Sequence, residues 1–244
     1  MRNLLMTIQY DGSAYHGWQV QSNALTVQEV FQNAVEKVFR SRLDIKGCSR
    51  TDSGVHANMY CVSLKTDMNI DCLGVLRAMN TALPQDIAVI DCREVPSDFH
   101  PRYSCKSKEY VYKIYNGSIR NPFLQKYAFH YRYALDAELM DREAQAFLGK
   151  HDFSGFCSAR SDIEDTVRCV KNVNVKREGD MVLFTVEADG FLYNMVRIMV
   201  GTLLFVNEGK IKPGELKDVI ESKDRSRAGK TAPPQGLYLN RVNY

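Results

Sequence analysis

Ile45-Lys46-Gly47-Cys48-Ser49-Arg50-Thr51-Asp52-Ser53-Gly54-Val55-His56-Ala57-Asn58-Met59-Tyr60-Cys61-Val62-Ser63-Leu64-Lys65 reads as two strands, Ile45 to Arg50 and Asn58 to Lys65, flanking the polar turn Thr51-Asp52-Ser53-Gly54. Gly54 closes the turn, since a residue without Cβ reaches backbone angles that other residues resist. Upstream, Leu4 to Tyr10 reads as a strand, and the loop Asp11 to Asn23 leads to a capping box, Thr26-x-x-Glu29. Behind the box, Val27, Val30, Phe31, Ala34, Val35, Val38 and Phe39 recur at helical spacing, which predicts a helix to about Arg40. Downstream, a short helix from Leu73 to Asn80 passes through Leu83-Pro84 to a strand, Ile87 to Val95.

The second half repeats the rhythm. Strands are predicted at Lys108 to Tyr115 and Tyr127 to Tyr133, with a helix from Ala137 to Leu148. Val167 to Lys176 and Val182 to Ala188 form a hairpin around Glu178-Gly179-Asp180. A long apolar helix, Phe191 to Val206, follows. Pro213 then starts another helix, where its missing N–H costs little, and Gly236 to Val242 is a last strand. The pattern predicts an α+β fold. Two related split-βαβ halves, ferredoxin- or RRM-like, join into one mainly antiparallel sheet with a central cleft. The domain boundary falls near Cys105 to Lys108, giving an N-terminal domain over 1–105 and a C-terminal domain over 106–244.

Composition narrows the class. The 244 residues are 45% hydrophobic and 25% charged, enough for a substantial core without a staple. A formal net charge of +3 neither requires nor excludes a polyanionic partner. The seven cysteines are scattered singly, with no metal-ligand spacing, and read as free thiols in a reducing compartment. Met1 to Gln9 lacks the charged-then-apolar pattern of a signal peptide. The longest apolar stretch, Met195 to Val206, is broken by Arg197 and is too short to cross a bilayer. No metal or cofactor is expected, and a cytoplasmic protein is.

The chemistry concentrates in Arg50-Thr51-Asp52-Ser53-Gly54-Val55-His56-Ala57, where a carboxylate sits between a guanidinium and an imidazole in a turn. Rigidly mounted turns are where catalytic side chains tend to be displayed. Read alone, Asp52 serves equally well as a turn cap, and Arg50 as a solvated charge. Arg197, amid Met195, Val196, Ile198 and Met199, would be costly to bury without a partner. Tyr110, in a Tyr-x-Tyr strand, would on its own be core packing.

Taken in order, the motifs resemble the TruA family of tRNA pseudouridine synthases almost from end to end. Tyr10-Asp11-Gly12-Ser13 with Tyr15-His16-Gly17-Trp18-Gln19 looks like the family's opening motif, and Arg50 to Ala57 like its catalytic loop. Asp98-Phe99-His100-Pro101-Arg102-Tyr103, Lys108-Glu109-Tyr110-Val111-Tyr112 and Met195-Val196-Arg197 with Val200-Gly201 follow in family order. So does the tail, Ala228-Gly229-Lys230-Thr231-Ala232-Pro233-Pro234-Gln235-Gly236-Leu237-Tyr238-Leu239. One departure is Ser49, where the family usually has glycine before the arginine; it leaves Asp52 intact but bears on target breadth.

The resemblance implies that the chain isomerises uridine to pseudouridine at positions 38, 39 and 40 of the tRNA anticodon stem-loop. Asp52 would be the catalytic aspartate, acting as nucleophile or base at C1′, at C6 or on the sugar C2′ proton. Arg197 would pair with Asp52 and hold it ionised. Tyr110 would pack against the extruded base, and Arg50 would take the place that the base vacates. The family acts without a cofactor, as a homodimer whose C-terminal domain completes the site and whose two subunits are spanned by one tRNA. Phosphate contacts are expected among Arg102, Lys106, Lys108, Arg160, Arg168, Lys223, Arg225, Arg227 and Lys230. Three other readings stand beside this one. A paralogue acting on another RNA would keep the chemistry. A non-catalytic RNA-binding module would show aromatic ribonucleoprotein motifs, which have no clear match here. A nucleosidase would need a second acid about 5–9 Å from the first, and no recognised motif supplies it.

Overall fold

The computed structural model describes residues 1–158 and 165–244. In chain order its elements are β1 (Arg2–Tyr10), α1 (Val27–Phe39), β2 (Ile45–Gly47), β3 (His56–Thr66), α2 (Cys72–Ala82) and β4 (Ile87–Val95), then β5 (Ser107–Tyr115), β6 (Phe129–His130), α3 (Ala137–Ala144), β7 (Gly149–Asp152), β8 (Val167–Glu178), β9 (Met181–Ala188), α4 (Met195–Asn207), α5 (Leu216–Ser222) and β10 (Leu237–Asn243). The fold is α+β and mostly antiparallel. Unit 1 comprises Met1–Lys106 with Tyr238–Tyr244, and unit 2 comprises Ser107–Leu237.

In unit 1, β1 lies between β3 and β4 and pairs antiparallel with both. β2 pairs antiparallel with β3, and β10 runs parallel to β3 through Tyr238↔His56 and Leu239↔Ala57. A central strand covered on both faces should be apolar along its length rather than alternating. Leu4, Leu5, Met6 and Ile8 are accordingly buried without exposure. The α1 helix starts where its sequence signal placed it: Thr26 Oγ1 accepts from Glu29 N–H, and Arg40, at φ 52°, ends the helix. Its Phe31 and Val35 are sealed in the core, and α1 packs on α2.

In unit 2 the antiparallel order is β5-β9-β8-β7, with β6 running parallel to β5. Val182, Phe184 and Val186 point to one side of β9 and are fully buried. Most of α4 is buried all round, which suits a helix with apolar residues on every face. Phe147, Phe153 and Phe156 pack edge-on or tilted beside it, with centroids 5.5 to 6.5 Å apart.

Five sequence readings need correction. The strand read over Ile45 to Arg50 ends at Gly47, because Tyr60 Oη takes the Ser49 carbonyl (2.5 Å) and Cys48 Sγ takes the Cys61 N–H (3.4 Å). Of Tyr127 to Tyr133 only Phe129–His130 pairs as strand. Tyr127 and Ala128 N–H groups turn back to the Leu124 carbonyl, while the Asn116 amide takes the Tyr131 and Tyr133 carbonyls. The helix read to Leu148 tightens after Ala144 into a 3₁₀ turn over Gln145–Phe147. The apolar helix begins at Met195, not Phe191, because Asn194 adopts a left-handed conformation (φ 63°). Pro213 does not start α5: Gly214 at φ 90° follows it, and the helix begins at Leu216.

Candidate active site

The loop carrying Asp52 is braced on its main chain by unit 1. Trp18 N–H donates to the Thr51 carbonyl (3.2 Å), and Gly54 N–H donates to the Tyr15 carbonyl (3.1 Å), which also accepts from Ser53 Oγ (3.3 Å). Tyr10 Oη and Thr51 Oγ1 share a buried bond (2.9 Å), and Val55 N–H closes the turn on the Asp52 carbonyl (3.2 Å). Trp18 stacks on Tyr60 at 4.1 Å, and Tyr60 in turn anchors Ser49. Tyr15 is held protonated by burial and by donating to Asp86 (2.8 Å).

The glycines of the opening motif make this approach possible. A Cβ on Gly12 would lie 2.0 Å from the Val55 carbonyl oxygen. A Cβ on Gly17 would lie 2.3 Å from the Thr51 oxygen, at a φ of +82° that side-chain-bearing residues resist. Gly54 also sits at positive φ, 77°. His56, buried beneath the turn, stacks on Tyr238 at 4.6 Å, and its Nδ1 accepts from Gly12 N–H (3.1 Å). The Asp11 carboxylate lies 3.2 Å from the same nitrogen. Because Nδ1 cannot accept from Gly12 and donate to Asp11 at once, we read that contact as a neighbour rather than an ion pair. The result is a half-buried acid on a rigid turn, with Arg50 exposed two residues before it.

Unit 2 holds Tyr110 and Arg197. Tyr110 is 6% exposed and meets Phe191 edge-on at 5.0 Å. Arg197 is fixed by its own side chain: Nε donates to the Ala232 carbonyl (2.7 Å) and Nη1 to Asn194 Oδ1 (2.7 Å). Ala232 N–H returns a bond to the Arg197 carbonyl (3.0 Å), and Asn194 Nδ2 donates to Ser158 Oγ (2.9 Å). The tail motif lies against α4 because Gly201 and Gly229 let the backbones touch. A Cβ on Gly201 would sit 1.7 Å from the Lys230 oxygen. Thr202 Oγ1 accepts from Gly229 N–H (2.9 Å), and Tyr112 Oη donates to the Pro233 carbonyl (2.6 Å). Burial keeps the Tyr112 hydroxyl protonated, against a smaller opposing effect of the nearby Arg197.

Asp52 and Arg50 therefore share one loop of unit 1, while Tyr110 and Arg197 belong to unit 2. Sequence reasoning missed Tyr10, Trp18 and Tyr60 as the brace, and Asn194 and Ser158 as holders of Arg197. The signal was there only in part, as aromatics clustered in the opening motif. Several expected phosphate contacts are engaged inside unit 2. Arg168 donates to the Asp165 and Val167 carbonyls, Arg225 to Gly229 O and Thr231 Oγ1, and Lys223 pairs with Asp152. Arg102, Lys106, Arg227 and Lys230 are exposed, Lys108 is half-buried, and Arg160 lies outside the described residues. A concavity of about 540 Å³ beside Ala134–Glu138, Arg177 and Asn207 lies in unit 2. Its Asp136 caps α3 and its Arg177 is bonded to Asn116 and Leu135, so we read it as structural.

None of the seven cysteines is in a disulfide. Among the described residues, no group of three His, Cys, Asp or Glu could hold a metal, and no helix is long and apolar enough to cross a membrane. The sequence profile described as tRNA pseudouridine synthase matches residues 6–104 and 144–244. The chain is 46% identical to a tRNA pseudouridine synthase A of Thermoanaerobacter sp. (strain X514) over 244 residues, covering 100% of each. It is 44% identical, over the same length and coverage, to a tRNA pseudouridine synthase A 2 of Clostridium perfringens (strain 13 / Type A). A solved Cbf5-Nop10-Gar1 complex aligns with 96% of this chain and 57% of that one, at 12% identity and a TM-score of 0.39, too weak to carry an argument.

Proposed function

The chain belongs to the tRNA pseudouridine synthase family, and on that premise we propose that it converts uridine to pseudouridine at positions 38, 39 and 40 of the tRNA anticodon stem-loop, with Asp52 as its catalytic carboxylate. The observation that carries this reading is the built turn: a half-buried acid whose main chain is bonded on both sides, at Ser49–Thr51 and at Ser53–Gly54. A turn made only to reverse the chain needs no such brace. Preorganised mounting is what a reacting group needs.

The reaction breaks the C1′–N1 bond, turns the uracil and joins C5 to C1′. The C5 proton is lost and N1 gains one, so substrate and product are isomers and no oxidant, reductant or group donor enters. A stacked uridine is out of reach, so the target is extruded, and we assign Tyr110 to pack against its base. Asp52 must be ionised to attack carbon or to take a proton. We assign Arg197 as the charge that keeps it so, and Arg50 to the space that the flipped base leaves. The tritium of 5-tritiated uridine in tRNA is the readout. Wild type should release it and Asp52→Asn should not, while still binding tRNA; full release by Asp52→Asn would overturn the assignment.

We propose further that the protein acts in the cytoplasm as a homodimer spanned by one tRNA. Support comes from Ile119 and Phe123, which unit 2 leaves 77% and 86% exposed. Sedimentation velocity at micromolar concentration should give twice the chain mass, and Phe123→Asp should lower it; a wild-type monomer would sink the proposal.

A further inference from the structure

A second concavity of unit 1, about 190 Å³, begins at Ser49 and Arg50 and runs past Lys46 and Gln28 to His100, Arg102 and Tyr103. Its far wall is a well-made turn. Ser104 N–H donates to the His100 carbonyl (2.9 Å), and His100 N–H donates to Ser104 Oγ (3.1 Å). Arg102 N–H donates to His100 Nδ1 (3.1 Å), and Tyr244 Oη donates to the Pro101 carbonyl (3.0 Å). That ordered turn nevertheless leaves the Tyr103 ring 78% exposed. The His100 imidazole lies 4.4 Å from the ring centroid and the Arg102 guanidinium 5.9 Å from it.

None of the residues lining the concavity is acidic. Lys46, one of its cations, pairs with Asp44 at 2.6 Å. Burial, followed by the charges of Lys46 and Arg102, holds the His100 pKa below its usual range. Its Nδ1 is an acceptor for Arg102, so Nε2 carries the proton and can donate. The site thus offers cations, one neutral donor and one largely exposed aromatic ring. Such a set suits a phosphate joined to an unstacked base. Pockets that enclose a whole small molecule are larger, about 300–1,000 Å³, so this one suits a single residue of a polymer. A base inside a duplex has no free face, which excludes a stem.

We infer that this concavity binds one unpaired nucleotide of the RNA next to the target uridine, its base stacked on Tyr103 and its phosphate held by Arg102. The inference rests on the proposed reaction for the identity of the RNA, but binding reads it separately. At fixed salt, Tyr103→Ala should weaken binding of substrate tRNA about tenfold, within the range measured for losing one stacked base, while Tyr103→Phe retains it. Arg102→Gln should lower the slope of log K against log salt by about one. Neither substitution at Tyr103 should alter binding of a fully paired RNA hairpin stem. Unchanged tRNA binding by Tyr103→Ala, or an equal loss on the paired stem, overturns the inference even if wild type forms pseudouridine. A wild type that forms none overturns the reaction instead, and the Tyr103 comparison still decides the pocket.

Discussion

In unit 1 the loop carrying Asp52 is held by its main chain; in unit 2 Arg197 is held by its own side chain. The bonds given above hold the loop through Ser49, Thr51, the Asp52 carbonyl, Ser53 and Gly54, so replacing Asp52 by Asn leaves that brace in place. Arg197, by contrast, ties α4 to the tail at Ala232 and to Asn194. Its guanidinium is a structural tie as well as the charge proposed for Asp52. The comparison teaches that replacing the acid spares the brace of its loop, whereas replacing its assigned partner removes ties of α4 to the tail.

The largest expected effect follows. Asp52→Asn should lower tritium release by about four orders of magnitude, as removal of a reacting group does. Its cost in urea unfolding should stay below about 1 kcal/mol. A larger loss of stability would show that the carboxylate, too, is a structural tie. Next comes the brace. Gly17→Ala adds a Cβ 2.3 Å from the Thr51 oxygen at a positive φ, and should destabilise unit 1 by about 2–3 kcal/mol. Tritium release should fall with it, although Asp52 is untouched. Wild-type activity and stability in Gly17→Ala would mean that the loop tolerates a shift, and the contrast with Arg197 would fail.

What the sequence disclosed follows the same division. The α1 helix was legible because Thr26 and the apolar spacing from Val27 to Phe39 are local signals. The Asp52 turn was legible because Gly54 marks it. Features set by distant partners were not. Tyr127 to Tyr133 has strand composition, yet Asn116 captures its carbonyls, and the start of α4 depends on Asn194 turning left-handed to reach Arg197 and Ser158. The return of Tyr238–Tyr244 to unit 1 leaves no mark in composition. At the site, motifs pointed to the residues proposed to react, but not to their supports. Tyr10, Trp18 and Tyr60 look like any other core aromatics until the turn is folded against them.

Arg197→Lys sharpens the other side of the comparison. Lysine keeps the charge but cannot reach the Ala232 carbonyl and Asn194 at once with a planar fork. One charge-assisted bond should be lost, lowering stability by about 1.5–2 kcal/mol in urea unfolding. If charge is what Asp52 requires, release should fall less in Arg197→Lys than in Arg197→Met. Equal losses in the two would mean that the fork, not the charge, is the requirement.

The smallest effect lies one step farther from the chemistry. Asp152 accepts from Thr166 Oγ1 (2.6 Å) and Ser154 N–H (3.0 Å) and pairs with Lys223 (2.9 Å). It thereby fixes the turn that leads to Ser158 and so to Asn194. The Thr166 hydroxyl, with help from Lys223 and Ser154, holds this carboxyl well below the usual carboxylate range. A folded pKa below the unfolded one stabilises the protein above the unfolded value, near 3.9, and that share is lost as pH falls toward the folded pKa. Asp152→Asn should therefore cost about 1 kcal/mol at pH 7, and the gap from wild type should shrink as acid unfolding is followed below about pH 4. A gap that stays constant to low pH would show that Asp152 acts by shape alone. A gap confined to stability, with tritium release intact, would place the limit of the support for Arg197 at Asn194.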